Sequence, residues 1–209
     1  MTQIMTPSAT AVITSGQIGK IQELLGAALR KSGLPSGPTQ DVLEIQGDSL
    51  AADLLAQVRK RVEAMSELIV RRVKVNRSRT PQETIKATGR NPYVDDTVVA
   101  AMPRGEGEEV DVYFFKVGHD ISDAELEKQY ELRGLIPADP YSQAAVNEQD
   151  PSFADDHPNG THWQDANGNW CFATFSRWRG GRGVSVRRCD GAWGGRWWLA
   201  GLRKLELSA

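Results

Sequence analysis

Trp170-Cys-Phe-Ala-Thr-Phe-Ser-Arg-Trp178, Arg179-Gly-Gly-Arg-Gly183 and Val184-Ser-Val-Arg-Arg188 form one continuous stretch, and its reading decides the fold. Side chains of a strand alternate between two faces, so a period of two marks extended chain. Gly180-Gly181 between two such runs is a hairpin turn signal. A two-residue turn there sets Arg179 opposite Arg182. Cys171, Ala173, Phe175, Val184 and Val186 then share one face, which is plainly core. Trp170, Phe172, Thr174, Ser176, Trp178, Ser185 and Arg187 share the other. That second face mixes rings, hydroxyls and a guanidinium, the chemistry of a surface that stacks bases or other planar ligands. The competing reading has the rings packed beneath helices. The same register separates Cys171 from Cys189, so no disulfide joins them.

Working outward, all six tryptophans lie between Trp163 and Trp198. Asn167-Gly168, and Asp190-Gly191 with Gly194-Gly195, add two more connections. The expected result is an antiparallel meander with strands over roughly 161–165, 169–178, 183–189 and 196–203. Trp197, Trp198, Leu199, Ala200 and Leu202 are apolar on both sides, as in a strand buried on both faces.

Upstream, Leu68 to Val75 and Val110 to Val117 read as strands. Capping boxes at Thr80-Pro-Gln-Glu83 and Ser122-Asp-Ala-Glu125 open helices, and Gly89 and Gly134 close them. Further short helices are expected over 95–102 and from Asp139-Pro140 toward Asn147, with a polar, turn-rich run from Gln149 to Gly160. Residues 1–14 read as a flexible leader and 15–66 as a helical hairpin. Thr14-Ser-Gly-Gln17 caps its first helix, whose apolar face is Ile18, Ile21, Leu25 and Ala28. The run Ser32 to Pro38 stops that helix. A second starts near Thr39, with a break near Gly47-Asp48 and a stripe of Leu54, Val58, Val62 and Met65. These faces need to bury against each other or against a partner. The fold class is therefore α+β: a helical hairpin, then residues 67–209 as a mixed domain ending in an antiparallel meander.

The strings Ser122-Asp-Ala-Glu-Leu126, Tyr130-Glu-Leu-Arg-Gly-Leu-Ile-Pro-Ala-Asp-Pro-Tyr141 and His162-Trp-Gln-Asp-Ala-Asn-Gly-Asn-Trp170 resemble a recurring group of bacterial proteins from ultra-small lineages. The resemblance spans roughly residues 68–204. It implies a bacterial, cytoplasmic origin and brings no activity, cofactor or catalytic residue with it.

Composition supports an ordinary globular chain: 209 residues, 40% hydrophobic and 25% charged. No apolar run approaches the roughly 20 residues of a membrane span. The N-terminus lacks the basic region and apolar stretch of a secretory signal, which points to the cytoplasm. The net charge of −2 hides an acidic excess over residues 103–159 and a basic excess over 160–209. These segments either attract within one fold or face different partners. Asn159-Gly160-Thr161 matches a glycosylation pattern but reads as a turn.

No catalytic motif is present. Gly16-Gln-Ile-Gly-Lys20 is too short for a phosphate loop. Asp155, Asp156, His157 and His162 offer metal-ligand chemistry, but without the spacing of a metal site, so no metal and no cofactor is expected. A single Arg179-Gly-Gly-Arg-Gly183 is weak evidence for RNA. The favoured expectation is a non-catalytic binding or assembly module. Its binding residues would be Trp170, Phe172, Trp178, Arg177, Arg179, Arg182, Arg187 and Arg188, with nucleic acid as one candidate partner. The helical hairpin would serve a protein partner or self-association. The alternative is an enzyme in which His119 or His162 meets a carboxylate between the acidic segment and the sheet.

Overall fold

A computed structural model describes residues 13–65, 68–178, 180–188 and 191–204, with backbone alone at 60 and 63–65. The chain divides into two compact units, Met1–Met65 and Ser66–Ala209. Among the described residues no helix is long and apolar enough to cross a membrane.

The first unit is a helix pair. Helix α1 spans Ser15–Lys31 and opens on the expected capping box, with Thr14 accepting from Gln17 N. Helix α2 spans Ser36–Met65, several residues earlier than expected. Pro38 sits in its first turn, where a missing N–H breaks no helical bond. Gln46 departs from helical geometry (φ −126°, ψ 15°), which kinks α2 beside Gly47. The two helices do not pack along their lengths, and no described side chain of residues 13–62 is buried. The apolar faces expected to cover each other remain open.

The second unit is built on a mixed eight-stranded sheet. Its strands are β1 (Leu68–Lys74), β2 (Asn91–Val94), β3 (Glu109–Lys116), β4 (Leu135–Pro137), β5 (Asn159–Gln164), β6 (Trp170–Trp178), β7 (Gly181–Arg188) and β8 (Trp198–Arg203). Five helices accompany them: α3 (Pro81–Ala87), α4 (Asp96–Ala100), α5 (Asp123–Glu131), α6 (Pro140–Gln149) and α7 (Phe153–Asp156). Both capping boxes form, at Thr80 and Ser122. The sheet order is β1-β3-β8-β5-β6-β7-β2, with β4 paired to β8.

The meander is real only through β5, β6 and β7. Strand β8 leaves β7 and inserts between β3 and β5, antiparallel to the first and parallel to the second. Burial explains the move. Trp198, Leu199 and Ala200 are all buried, so β8 needs cover on both faces and takes a central position. The edge next to the arginine-rich β7 goes instead to the short β2, which runs parallel to it. The sequence reading did not anticipate β2, β4 or α7, each four residues or fewer.

The hairpin forms with a shifted register. Trp178 pairs with Gly181 and Arg177 with Arg182, leaving residues 179–180 as the connection, with Gly180 at φ +80°. Arg179 lies outside the described residues. Each β6 residue therefore meets a β7 partner two positions earlier than expected. A two-residue slip preserves the faces, because side-chain alternation has a period of two. Cys171, Ala173, Phe175, Val184 and Val186 are accordingly buried in the main core with Val112, Phe114, Phe153 and Ala154. A smaller core of Tyr113, Phe115, Leu126, Tyr130, Trp193 and Leu199 lies on the opposite face. Cys171 is a free thiol, and Cys189 lies outside the described residues.

Asn159 does not sit in a turn. It is fully buried in β5, where its Oδ1 accepts from Gln143 Nε2 (2.9 Å) and Asn147 Nδ2 (3.1 Å). These bonds satisfy the amide that burial strips of water.

Candidate functional site

The second face of β6 and β7 has a closed half and an open half. The closed half lies toward β5. There the segment after β7 returns over the sheet, and Trp193 bridges to Ile121 through paired backbone bonds. Gly160 makes this approach feasible: a Cβ at that position would stand 2.3 Å from the Trp193 ring. Trp193 Nε1 donates to Asp123 Oδ1 (2.9 Å), at the start of α5. The same oxygen lies 2.6 Å from His162 Nδ1. His162 Nε2 lies 2.8 Å from Glu127 Oε1, outside good hydrogen-bond alignment. Trp170 stacks on the imidazole with centroids 4.6 Å apart. Burial lowers the histidine pKa, but the Asp123 hydrogen bond and the proximity of Asp123 and Glu127 outweigh it, so the net direction is upward. The imidazole is thus held between Asp123 and Glu127 and roofed by Trp170. Its side chain has no exposed surface.

The open half lies toward β2. Here β6 contributes Thr174, Ser176 and Trp178, β7 contributes Gly181, Gly183, Ser185 and Arg187, and β2 contributes Tyr93. Together with Pro158, Arg196 and Trp197 they line a groove of about 510 Å³. That size falls in the range of about 300–1,000 Å³ usual for ligand sites. Alternation places Gly181 and Gly183 on the groove floor, where side chains are absent by composition. A Cβ at Gly183 would meet nothing closer than 3.9 Å.

The groove walls are aromatic and cationic. Trp178 is 65% exposed and Tyr93 58%. The Arg187 guanidinium stacks over Tyr93 at 4.4 Å, and that of Arg196 over Trp197 at 5.0 Å. Among the described residues neither arginine has a carboxylate in ion-pair range, so both charges are available to a ligand. Arg182 differs. It points to the other face and pairs with Asp155 at 2.7 Å. The hydrogen bond between them raises the arginine pKa and lowers that of the aspartate. Arg188 is likewise held by Asp165 (3.2 Å) and Asp95 (3.6 Å).

The eight sequence-derived binding residues therefore separate. Trp178 and Arg187 line the groove from its own face, Arg177 and Arg182 reach its rim from the other face, and Arg179 lies outside the described residues. Trp170 and Phe172 belong to the closed half, around His162 and Trp193. Arg188 lies outside the groove lining. Tyr93, Arg196 and Trp197 were missed. Tyr93 sits on a strand too short to show alternation, and its neighbour in space is 92 residues away, Ser185.

The histidines also separate. His119 is exposed; His157 stacks on Phe153 at 5.0 Å; His162 meets Asp123 and Glu127. Among the described residues no group of three or more histidine, cysteine, aspartate or glutamate side chains is placed to hold a metal ion. Comparison with protein-family models, curated proteins and solved structures finds no match to this chain, which leaves its own geometry as the guide to function.

Proposed function

We propose that the second unit is a binding module for single-stranded nucleic acid, with the strand lying in the open groove across β6, β7 and β2. One observation carries this reading. Trp178 and the Arg187–Tyr93 stack flank a floor opened by Gly181 and Gly183, and among the described residues no carboxylate lies in ion-pair range of Arg187 or Arg196. Exposed rings stack on unpaired bases, and free guanidiniums meet the phosphates between them. Each base presents a π face, so the expected selectivity for sequence is low. A cytoplasmic setting suits such a ligand and the free Cys171 thiol.

Fluorescence anisotropy with a labelled oligonucleotide tests the reading. Affinity should fall as salt rises, and Arg187→Ala with Arg196→Ala should lower both affinity and the salt slope. Trp178→Ala should cost about 1–3 kcal/mol of binding, the worth of one stacked base. Gly183→Val should block the floor while leaving the fold intact, because its Cβ would make only ordinary van der Waals contacts, at 3.9 Å from the Asn91 and Ser176 carbonyl oxygens. Binding that is indifferent to salt and to all four substitutions would falsify the proposal.

The enzyme reading rests on the His162–Asp123 contact of 2.6 Å. A general base must reach a substrate proton. His162 has a carboxylate at each nitrogen and a tryptophan on its ring, so the arrangement favours a structural ion cluster.

A further inference from the structure

Helix α2 carries a pattern that the nucleic-acid reading leaves unused. Ala51, Leu55, Val58 and Val62 follow one another at intervals of four, three and four, the spacing of a seam between two helices. Leu54 flanks that seam. Leu54, Leu55 and Val62 are exposed, and Leu50 and Val58 are only half-buried. Helix α1 does not cover them. Isolated helices derive little stability from propensity and most from packing an apolar face.

The charges indicate what covers this one. Beyond the kink at Gln46, Asp48 stands near one end of the straight segment and Arg61 near the other. They lie at equal sequence distance from the midpoint between Leu54 and Leu55. We infer that a second copy of this chain packs antiparallel on α2 about a two-fold axis at Leu54–Leu55. In that arrangement Leu54 faces Leu55 of the second copy, and Leu55 its Leu54. Ala51 faces Val58 of the second copy, and Asp48 faces its Arg61. A two-fold interface requires one surface to complement itself, and a helix acidic at one end and basic at the other does so only when antiparallel. The straight segment, residues 47–65, is about 28 Å long at 1.5 Å per residue, enough for a short coiled-coil contact.

Sedimentation equilibrium of the full chain over a dilution series tests the inference. The native chain should be a dimer that dissociates on dilution. Leu54→Lys with Leu55→Lys should leave a monomer. Asp48→Arg alone and Arg61→Asp alone should each weaken the dimer about tenfold, because the axis repeats every lost pair. The double variant carrying both should recover to within about threefold of the native dissociation constant, since the pair is restored with its signs exchanged. The substituted leucines, aspartate and arginine are all exposed, and all six tryptophans lie in the second unit. Near-ultraviolet circular dichroism should therefore stay constant, which separates dissociation from unfolding. A native chain monomeric at every concentration overturns the inference. So does a dimer that survives the leucine substitutions, or a double variant no better than the single ones. Binding of a monomeric chain to phosphatidylglycerol vesicles through Leu54 and Leu55 would assign the face to lipid and overturn it equally.

Discussion

The two units of this chain spend their apolar residues in opposite ways. In residues 68–204 an apolar core lies on each face of the sheet: Phe114 is fully buried against Phe153, and Phe115 and Leu199 lie in the smaller core behind it. In residues 13–62 no described side chain is buried, and Ile18, Leu24, Leu29, Leu43, Leu55 and Val62 are exposed. Both units have amphipathic patterns and both have well-formed caps. The difference is closure. A sheet with helices can fold its apolar faces onto each other within one chain, whereas two unpacked helices cannot. Local pattern therefore creates the need for burial, and topology decides whether the same chain meets it.

The largest effects should come from the second unit. Phe114→Ala removes a fully buried ring that contacts Phe153 at a centroid distance of 4.8 Å. It should lower stability by about 3–5 kcal/mol in urea titration followed by tryptophan fluorescence. A loss below about 1 kcal/mol would break the contrast, because the core would then be as loose as the helix pair. Next comes Asp123→Ala, which strands buried His162 and Trp193 Nε1 without their shared acceptor. A loss of about 3 kcal/mol is expected by the same measurement.

The His162 cluster also predicts a pH dependence confined to the second unit. Its folded pKa lies above the ordinary histidine value of 6.5, through Asp123 and Glu127 acting against burial. A raised pKa means that the folded state binds the proton more tightly. The associated stability is thus complete below about 6.5 and declines as pH rises through the folded value. His162→Gln should flatten that decline in the tryptophan signal. An unchanged slope would show that the histidine is not the group responsible.

The smallest effect is expected in the first unit. Thr14→Ala removes the side chain that accepts from Gln17 N and opens the capping box of α1. It should cost about 1 kcal/mol of local helix stability, visible in far-ultraviolet circular dichroism. The tryptophan transition should not move. If it did, the two units would unfold together rather than one by one.

Much of the fold was legible in residues that act locally. The capping boxes at Thr14, Thr80 and Ser122 form as their spacing requires, because a cap is satisfied within four residues. The division of β6 and β7 into faces also survives an error in register, since a slip of two leaves alternation intact. The placement of β8 was not legible. Its apolar run announced burial on both sides, but whether that meant the end of a meander or the centre of the sheet depended on the partners available. The groove was half legible for a related reason. Arg187 and Trp178 share a visible hairpin, while Tyr93, Arg196 and Trp197 reach them only through β2 and the returning segment before β8.

The sequence by itself determined which residues alternate, where helices start and which side chains must leave water. Those outcomes depend on neighbours a few residues apart. Only the tertiary structure decided that one half of the tryptophan-rich face closes over His162 while the other stays open beside Arg187. That choice depends on Gly160 admitting Trp193 and on β2 lying beside β7, contacts between segments distant in the chain. No local pattern encodes such contacts, because their free energy appears only when the separate surfaces meet.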